Sequence, residues 1–375
     1  MFRNHAGLIC LLLCACGGGT GEVVLSDSVA VDVAASQPPR IVIDEHGEKL
    51  WSFGGLKENP EDELQQGGIP GLLVLPDGNY FLVEGFRVRV FDRDVNELWR
   101  FGREGAGPEE FANLGWACLS SGDTVVVSDQ RNHRFAIIKP QQGVINTVPM
   151  GELGMLSSSC GSDGYLLGSR QRDSSGTRIS LGPGGADAVM DTSILAVSYP
   201  MENLVGNGWP MYGMVDTMVF IADPNHSVID IYDRSGRFIR HFDWVTERTP
   251  VTDENIPARF GVVPAGSSPG QMEEWWKEIR SRPRADHWPA FVSVRADGRG
   301  RLWVRESYES GTDSVGSLVL DPATGRIVAD VIMPAVSRER FVNIAGFIRE
   351  GIVLMHHDED GATWMSLIPY PEPLR

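Results

Sequence analysis

Gly71–Gly102 reads GLLVLPDGNYFLVEGFRVRVFDRDVNELWRFG, four short strand candidates separated by turn formers. The candidates are Leu72–Leu75, Tyr80–Val83, Val88–Phe91 and Glu97–Phe101. Between them lie Pro76-Asp77-Gly78 and Asp92-Arg93-Asp94, residues that accept turn dihedrals or bond their own backbone. Runs this short with connections this tight fold back on themselves as antiparallel hairpins, giving a four-stranded meander.

The same layout recurs along the chain. It returns at residues 114–150, 157–183, 211–243, 290–334 and 341–371, with first turns near Asp77, Gly122, Asp163, Asp216, Asp297 and Glu350. The spacing is 41 to 53 residues except for one longer gap. A second strand ending in an acid recurs at Glu84, Asp129, Asp223 and Glu306. Six such units predict a six-bladed β-propeller, because each twisted four-stranded sheet leaves a face unburied until it packs on the next. Pro39–Gly54, PRIVIDEHGEKLWSFG, matches the last two strands of the first unit. It is expected to lend at least the outer strand of the sixth blade and so close the ring.

Composition agrees with many turns and few long helices. The 375 residues include 43 Gly and 23 Pro, well above the usual ~12% for the two together. Lys plus Arg number 33 against 50 Asp plus Glu, a formal net charge of −17. Counterion release needs a basic surface, so nucleic acid is excluded as a partner, and adsorption through a basic membrane-binding face is disfavoured.

Residues 1–21, MFRNHAGLICLLLCACGGGTG, carry a short basic start and an apolar stretch too short to span a bilayer. Leu13-Cys14-Ala15-Cys16 resembles a bacterial lipobox. The resemblance implies cleavage before Cys16, acylation of that residue, and stable anchoring by more than one chain. The expected organisation is a signal peptide at 1–15, a flexible tether at 16–38 and a propeller at 39–371, facing the periplasm or exterior of a bacterial cell envelope. FGREGAGPEEF and VVVSDQRNHRFAII resemble NHL-type repeats. GRLWVRES, LDPATGRIVADVIMP and VLMHHDEDGATWMSLIPY are similar to a family of bacterial extracytoplasmic six-bladed propellers. That family implies fold and location and no settled reaction. Arg301 stands where it typically has Asn after the fifth turn.

The longer gap is an insertion at about 246–288, within which GQMEEWWKEIRSRPR, Gly270–Arg284, is expected to be a helix on one rim. Trp275, Trp276, Arg280, Arg282, Arg284, His287 and Trp288 crowd into it. They form either an aromatic and cationic wall over the channel, suited to an acidic or glycan ligand, or tryptophan staples with arginines paired at helical spacing. His356 and His357 precede an acidic turn, but consecutive strand residues face opposite ways, so no metal is assigned there. His133 and His226 occupy equivalent turns without a third histidine, which a structural or catalytic zinc would need. Cys118 and Cys160 lie at equivalent places in neighbouring units, either as an inter-blade disulfide or as two buried thiols. No phosphate loop, nucleophile elbow or zinc-protease motif is present.

No catalytic residue and no cofactor are assigned. The expected function is a membrane-anchored module binding a protein, peptide or glycan. The alternative is a propeller lactonase, lyase or hydrolase with a metal or carboxylate site at the channel mouth.

Overall fold

The structure, a computed structural model, describes residues 28–375 apart from 45, 56–61, 65–70, 121–123, 151–157, 161–164, 174–175, 184–191, 198–203, 258–267, 308–313, 335–340 and 358–361. For residues 158–197, 314–315, 334 and 341–343 the description is of backbone alone. Cys16 and the signal peptide lie outside the described residues.

The strands make an all-β propeller of small antiparallel sheets, with one helix longer than four residues among the described residues. Six sheets have four or five strands each, and a two-stranded ribbon accompanies them. The first sheet takes Gly71–Val74, Tyr80–Glu84, Arg87–Phe91 and Glu97–Phe101, so the meander read from the sequence is found to within about a residue. The second runs Leu114–Leu119, Val125–Asp129, Arg134–Lys139 and Gly143–Pro149, and the third Ser158–Cys160, Tyr165–Asp173, Gly176–Pro183 and Thr192–Val197. The fourth is built on Met211–Val215, Met218–Asp223, Val228–Tyr232 and Phe238–Val245. The fifth uses Phe291–Ala296, Leu302–Glu306, Ser314–Asp321 and Arg326–Pro334, and the sixth Phe341–Phe347, Gly351–His357 and Thr363–Pro369.

The hairpins are tied by one device. Asp92, Asp233 and Asp297 each accept through Oδ1 from backbone N–H groups two and four residues on, at 2.8 to 3.0 Å. A short acceptor at the start of the turn holds the reversal that the strands then extend. These three carboxylates are therefore engaged in turns.

Sheet faces explain the unbroken apolar runs. In the first sheet Phe81 and Val83 enter a core shared with the second, while Tyr80 and Leu82 enter a core shared with the sixth. In the fifth sheet Leu318 and Leu320 pack toward the fourth, and Val319 toward the sixth. Alternate side chains thus serve different interfaces, and a strand buried on both faces has no polar side to show. Fully burying each such side chain stabilises by roughly 1.5–3 kcal/mol.

The N-terminal part wraps the outer edges of three sheets. Ser28–Asp32 pairs parallel with Phe238–Val245, and Arg40–Val42 pairs parallel with Arg326–Pro334. Trp51–Gly54 then lies antiparallel on Thr363–Pro369 as the outer strand of the sixth sheet. The stretch expected as a flexible tether through residue 38 is therefore ordered from Ser28. Its valines explain this: Val31 is buried in the fourth–fifth core with Val29 and Val33 packed beside it, an alternation of period two.

Innermost strands of successive sheets lie side by side from the first sheet to the fifth, and Phe341–Phe347 of the sixth lies against Gly71–Val74. The fifth and sixth sheets are joined by Arg295 Nη1 donating to the Ile344 carbonyl at 3.0 Å and Arg299 Nε to the Arg349 carbonyl at 3.2 Å.

Candidate functional site

The recurring acids sit at the ends of second strands, on the side from which the chain leaves for the next sheet. Three of them are held by donors. Asp129 is wholly buried and accepts from the backbone N–H groups of Ala112 and Asn113 at 3.1 and 3.3 Å, from Asn132 Nδ2 at 2.7 Å and from Arg134 Nε at 3.1 Å. Asp223 accepts from the N–H groups of Asn225 and His226 at 2.9 and 3.2 Å and meets the His226 ring through Nδ1. Glu84 lies between Arg87 Nε at 2.7 Å and Arg89 Nη1 at 3.4 Å. These carboxylates organise the linker between sheets.

Glu306, at the same register in the fifth sheet, is different. It is half-buried, and burial first and the Asp330 charge second push its carboxyl above the usual range. Both effects oppose ionisation, and no cation among the described residues offsets them. Glu306 pairs across the sheet with Phe291. The next residue on that innermost strand, Val292, is 43% exposed.

Trp209 stands beside this corner and is 66% exposed, the most exposed aromatic side chain among the described residues. Its backbone is pinned by its neighbour: Gly208 donates to Asn225 Oδ1 at 2.8 Å and accepts from Asn225 Nδ2 at 2.9 Å. A Cβ at Gly208 would come within 2.6 Å of Pro224 and 2.9 Å of Pro289, so only glycine lets the strands close here. The sequence offered no sign of Trp209, because an isolated tryptophan reads as core.

The insertion forms a helix at Pro269–Ser281, ending earlier than expected. Ser268 and Gln271 make a reciprocal capping box, and Pro283 follows the stop. Ile279 and Trp288 are buried with Val205 and Ile256, and Trp275 and Trp276 pack on this cluster. Trp288 Nε1 donates to Asn255 Oδ1 at 3.0 Å. Arg282 pairs with Glu278 at 2.6 Å, and Arg284 with Asp253 at 2.7 Å while bonding the Arg280 carbonyl at 3.0 Å. Arg280 and His287 are exposed. The seven residues therefore divide: the tryptophans fasten the helix, two arginines are paired, and Arg280 and His287 face solvent.

The insertion is locked to the fourth sheet's entry segment, since Val205 donates its N–H to the Pro283 carbonyl and accepts from the Ala285 N–H, both at 2.9 Å, across the Val205–Arg284 bridge. Arg248 braces it by donating to the carbonyls of Asn225 at 2.6 Å and Trp288 at 3.0 Å. The insertion thus sits beside the segment that leads through Trp209 into the fourth sheet.

The histidines are placed apart. His133 occupies a left-handed turn position with φ of 50°. His356 bonds Ser366 Oγ at 2.7 Å and His357 bonds Thr363 Oγ1 at 2.8 Å, on opposite faces of the sixth sheet. Among the described residues no group of three His, Cys, Asp or Glu side chains is placed to hold a metal ion. Cys118 is fully buried and disulfide-bonded, and the Cys160 side chain lies outside the described residues.

With this geometry the chain is similar to two solved propeller-like structures. A candidate exported protein of Bacteroides fragilis is 12% identical, with a TM-score of 0.52, covering 92% of this chain and 100% of its own. A member of the DUF4221 family from Bacteroides vulgatus is 10% identical, with a TM-score of 0.50, covering 85% of this chain and 96% of its own. At such identities the likeness concerns the fold. No protein-family model and no curated relative matches the sequence.

Proposed function

We propose that the protein is a lipid-anchored, extracytoplasmic propeller of six NHL-like blades that works as a binding module for a protein, peptide or glycan. The observation that carries the binding reading is Trp209: a large aromatic side chain, 66% exposed, directly after a glycine whose N–H and carbonyl are both held by the Asn225 side chain. Exposed aromatics on rigid backbone bury much area at little entropic cost, which is how binding surfaces are built. Val292 extends the apolar surface, and Arg280 gives the helix beside it a cationic edge against an otherwise acidic protein.

Six four-stranded repeats, the run of adjoining innermost strands and the seat of Trp51–Gly54 on the sixth sheet support a closed ring. The lipobox around Cys16 supports anchoring, and a disulfide from Cys118 to Cys160 between neighbouring blades accords with an oxidising compartment. Peptide mapping without reduction is expected to recover one cross-linked Cys118–Cys160 pair.

The test is a photo-crosslinking amino acid at position 209 in envelope fractions. A discrete adduct is expected at 209 and none from position 145, an equally apolar exposed site on the second sheet. Equal labelling at both positions would reject the rim. A catalytic reading is favoured by one observation, the half-buried Glu306 carboxyl at the end of the fifth sheet's second strand, whose pKa is raised in the direction a general acid needs. Turnover of a lactone or glycoside panel that is lost in Glu306→Gln would establish it.

A further inference from the structure

The strand Ser28–Asp32 straps the outside of the fourth sheet in a definite direction. It pairs parallel with Phe238–Val245, with Ser28 beside His241 and Asp32 beside Val245. At one end of that sheet Val215 pairs with Met218 and Phe238 with Tyr232, and the chain reverses there at 216–217 and 233–236. At the other end Met211 pairs with Ala222 and Asp223 with Val228. Trp209 leads in at this second end, and the insertion leaves from it after Val245. The chain therefore enters the strap from the hairpin end and runs toward the end that carries Trp209 and the insertion.

The strap is held closely enough to fix where it is entered. Ser28 Oγ donates to Asp243 Oδ2 at 2.8 Å, and Val31 is buried in the core shared by the fourth and fifth sheets. Val29 lies so near the turn of the fifth sheet that a Cβ at Gly325 would come within 2.9 Å of it. Arg240 donates to the Pro322 carbonyl at 3.3 Å and to that of Ala323, so the hairpin ends of the two sheets lie side by side. The turns at this end, 216–217, 233–237, 297–301 and 321–326, hold five arginines and four aspartates. Their charge is balanced although the whole chain carries −17, so an anionic lipid surface does not repel this end.

Cys16 precedes Ser28 by twelve residues, which covalent geometry limits to about 40 Å. The outer strand Phe238–Val245 alone is eight residues long, or about 26 Å. Bringing the Trp209 end nearest to a bilayer would require the chain to double back along the sheet and would consume more than half of that reach.

We propose that the strap sets the orientation of the anchored propeller. The hairpin end of the fourth and fifth sheets is turned to the bilayer, and the end bearing Trp209 and the insertion is turned to the aqueous side, open to a water-borne partner. This rests on the reading of Cys16 as the lipidated residue.

The test uses the full lipidated chain in vesicles of phosphatidylethanolamine and phosphatidylglycerol that contain a rhodamine lipid. A coumarin amino acid is placed at position 217, which is exposed in its hairpin, or at position 209, and energy transfer to rhodamine is read. Transfer from 217 is expected to exceed that from 209 about twofold or more, because the length of the sheet separates them. Equal transfer, or greater transfer from 209, would overturn the orientation. A second variant carries about 30 Gly and Ser residues between Gly21 and Glu22, a flexible addition that leaves every described contact in place. The excess at 217 should then fall to less than about half. An excess that persists would mean that the hairpin end adsorbs on lipid by itself, and would overturn the strap as the cause. Flotation separates these outcomes from the anchor reading, since the wild-type chain should float with the vesicles and Cys16→Ser should not. Loss of that contrast would sink the anchor and the orientation together. Flotation that depends on Cys16, with equal transfer from both positions, would sink the orientation alone.

Discussion

The corner after the second strand of the second sheet and the matching corner of the fifth share a register and an acid, yet they do different things. At the first, Asp129 is sealed and its donors arrive from the incoming linker, from the turn and from the third strand. At the second, Glu306 meets burial and a neighbouring acid, while Val292 and Trp209 remain open to solvent nearby. One repeat position is thus used to hold the linker between sheets in one place and left chemically unspent in another. In a propeller built from near-equivalent units, function is best sought where a repeated residue has lost its repeated partners.

Four substitutions can break or sharpen that contrast. The largest effect is expected at the satisfied corner. Asp129→Ala takes the carboxylate from Arg134 and the acceptor from two linker N–H groups and should cost about 3 kcal/mol of stability, read from urea unfolding. Trp209→Ala should leave the unfolding midpoint within about 0.5 kcal/mol of wild type, while partner capture through the rim is lost.

A smaller, pH-dependent effect is expected on the fourth sheet's outer strand. There His241 lies 2.5 Å from Asp230 and 3.0 Å from Asp243, and Ser28 bonds Asp243 at 2.8 Å. The Asp230 hydrogen bond chiefly raises the imidazole pKa, to about 9. Because the folded value exceeds the unfolded one, near 6.5, its stabilisation is complete below about pH 6.5 and fades as pH rises through 9. His241→Asn should flatten that decline. A wild-type profile that is already flat from pH 6.5 to 9.5 would contradict the arrangement.

The smallest effect is expected for Glu306→Gln. A raised folded pKa means that ionised Glu306 disfavours folding at neutral pH and that the penalty shrinks as pH falls. The amide should therefore be neutral or slightly stabilising at pH 7.

Much of the fold was legible because it is local. The hairpins follow from Asp92, Asp233 and Asp297 at fixed offsets, and the rim helix from Ser268, Pro269 and the apolar spacing ending at Ile279. The wrap by Ser28–Asp32 and Arg40–Val42 was not, since parallel pairing with strands some 200 to 290 residues away leaves only alternating valines as a local trace. Arg295 was equally hidden. On its own strand it reads as one more solvated arginine, and only the docking of the sixth sheet brings the Ile344 carbonyl against it. The rim cluster was read as a group, but packing and pairing depend on partners such as Asn255 and Asp253, whose approach the helix sequence does not encode.

The contrast between corners is tested most directly by measuring unfolding of Asp129→Asn and Glu306→Gln side by side at pH 7. Both changes remove one charge and keep the shape. The account predicts a loss of about 2 kcal/mol or more for Asp129→Asn, from a buried charge-assisted network, and no loss or a small gain for Glu306→Gln. Equal losses at the two positions would contradict it.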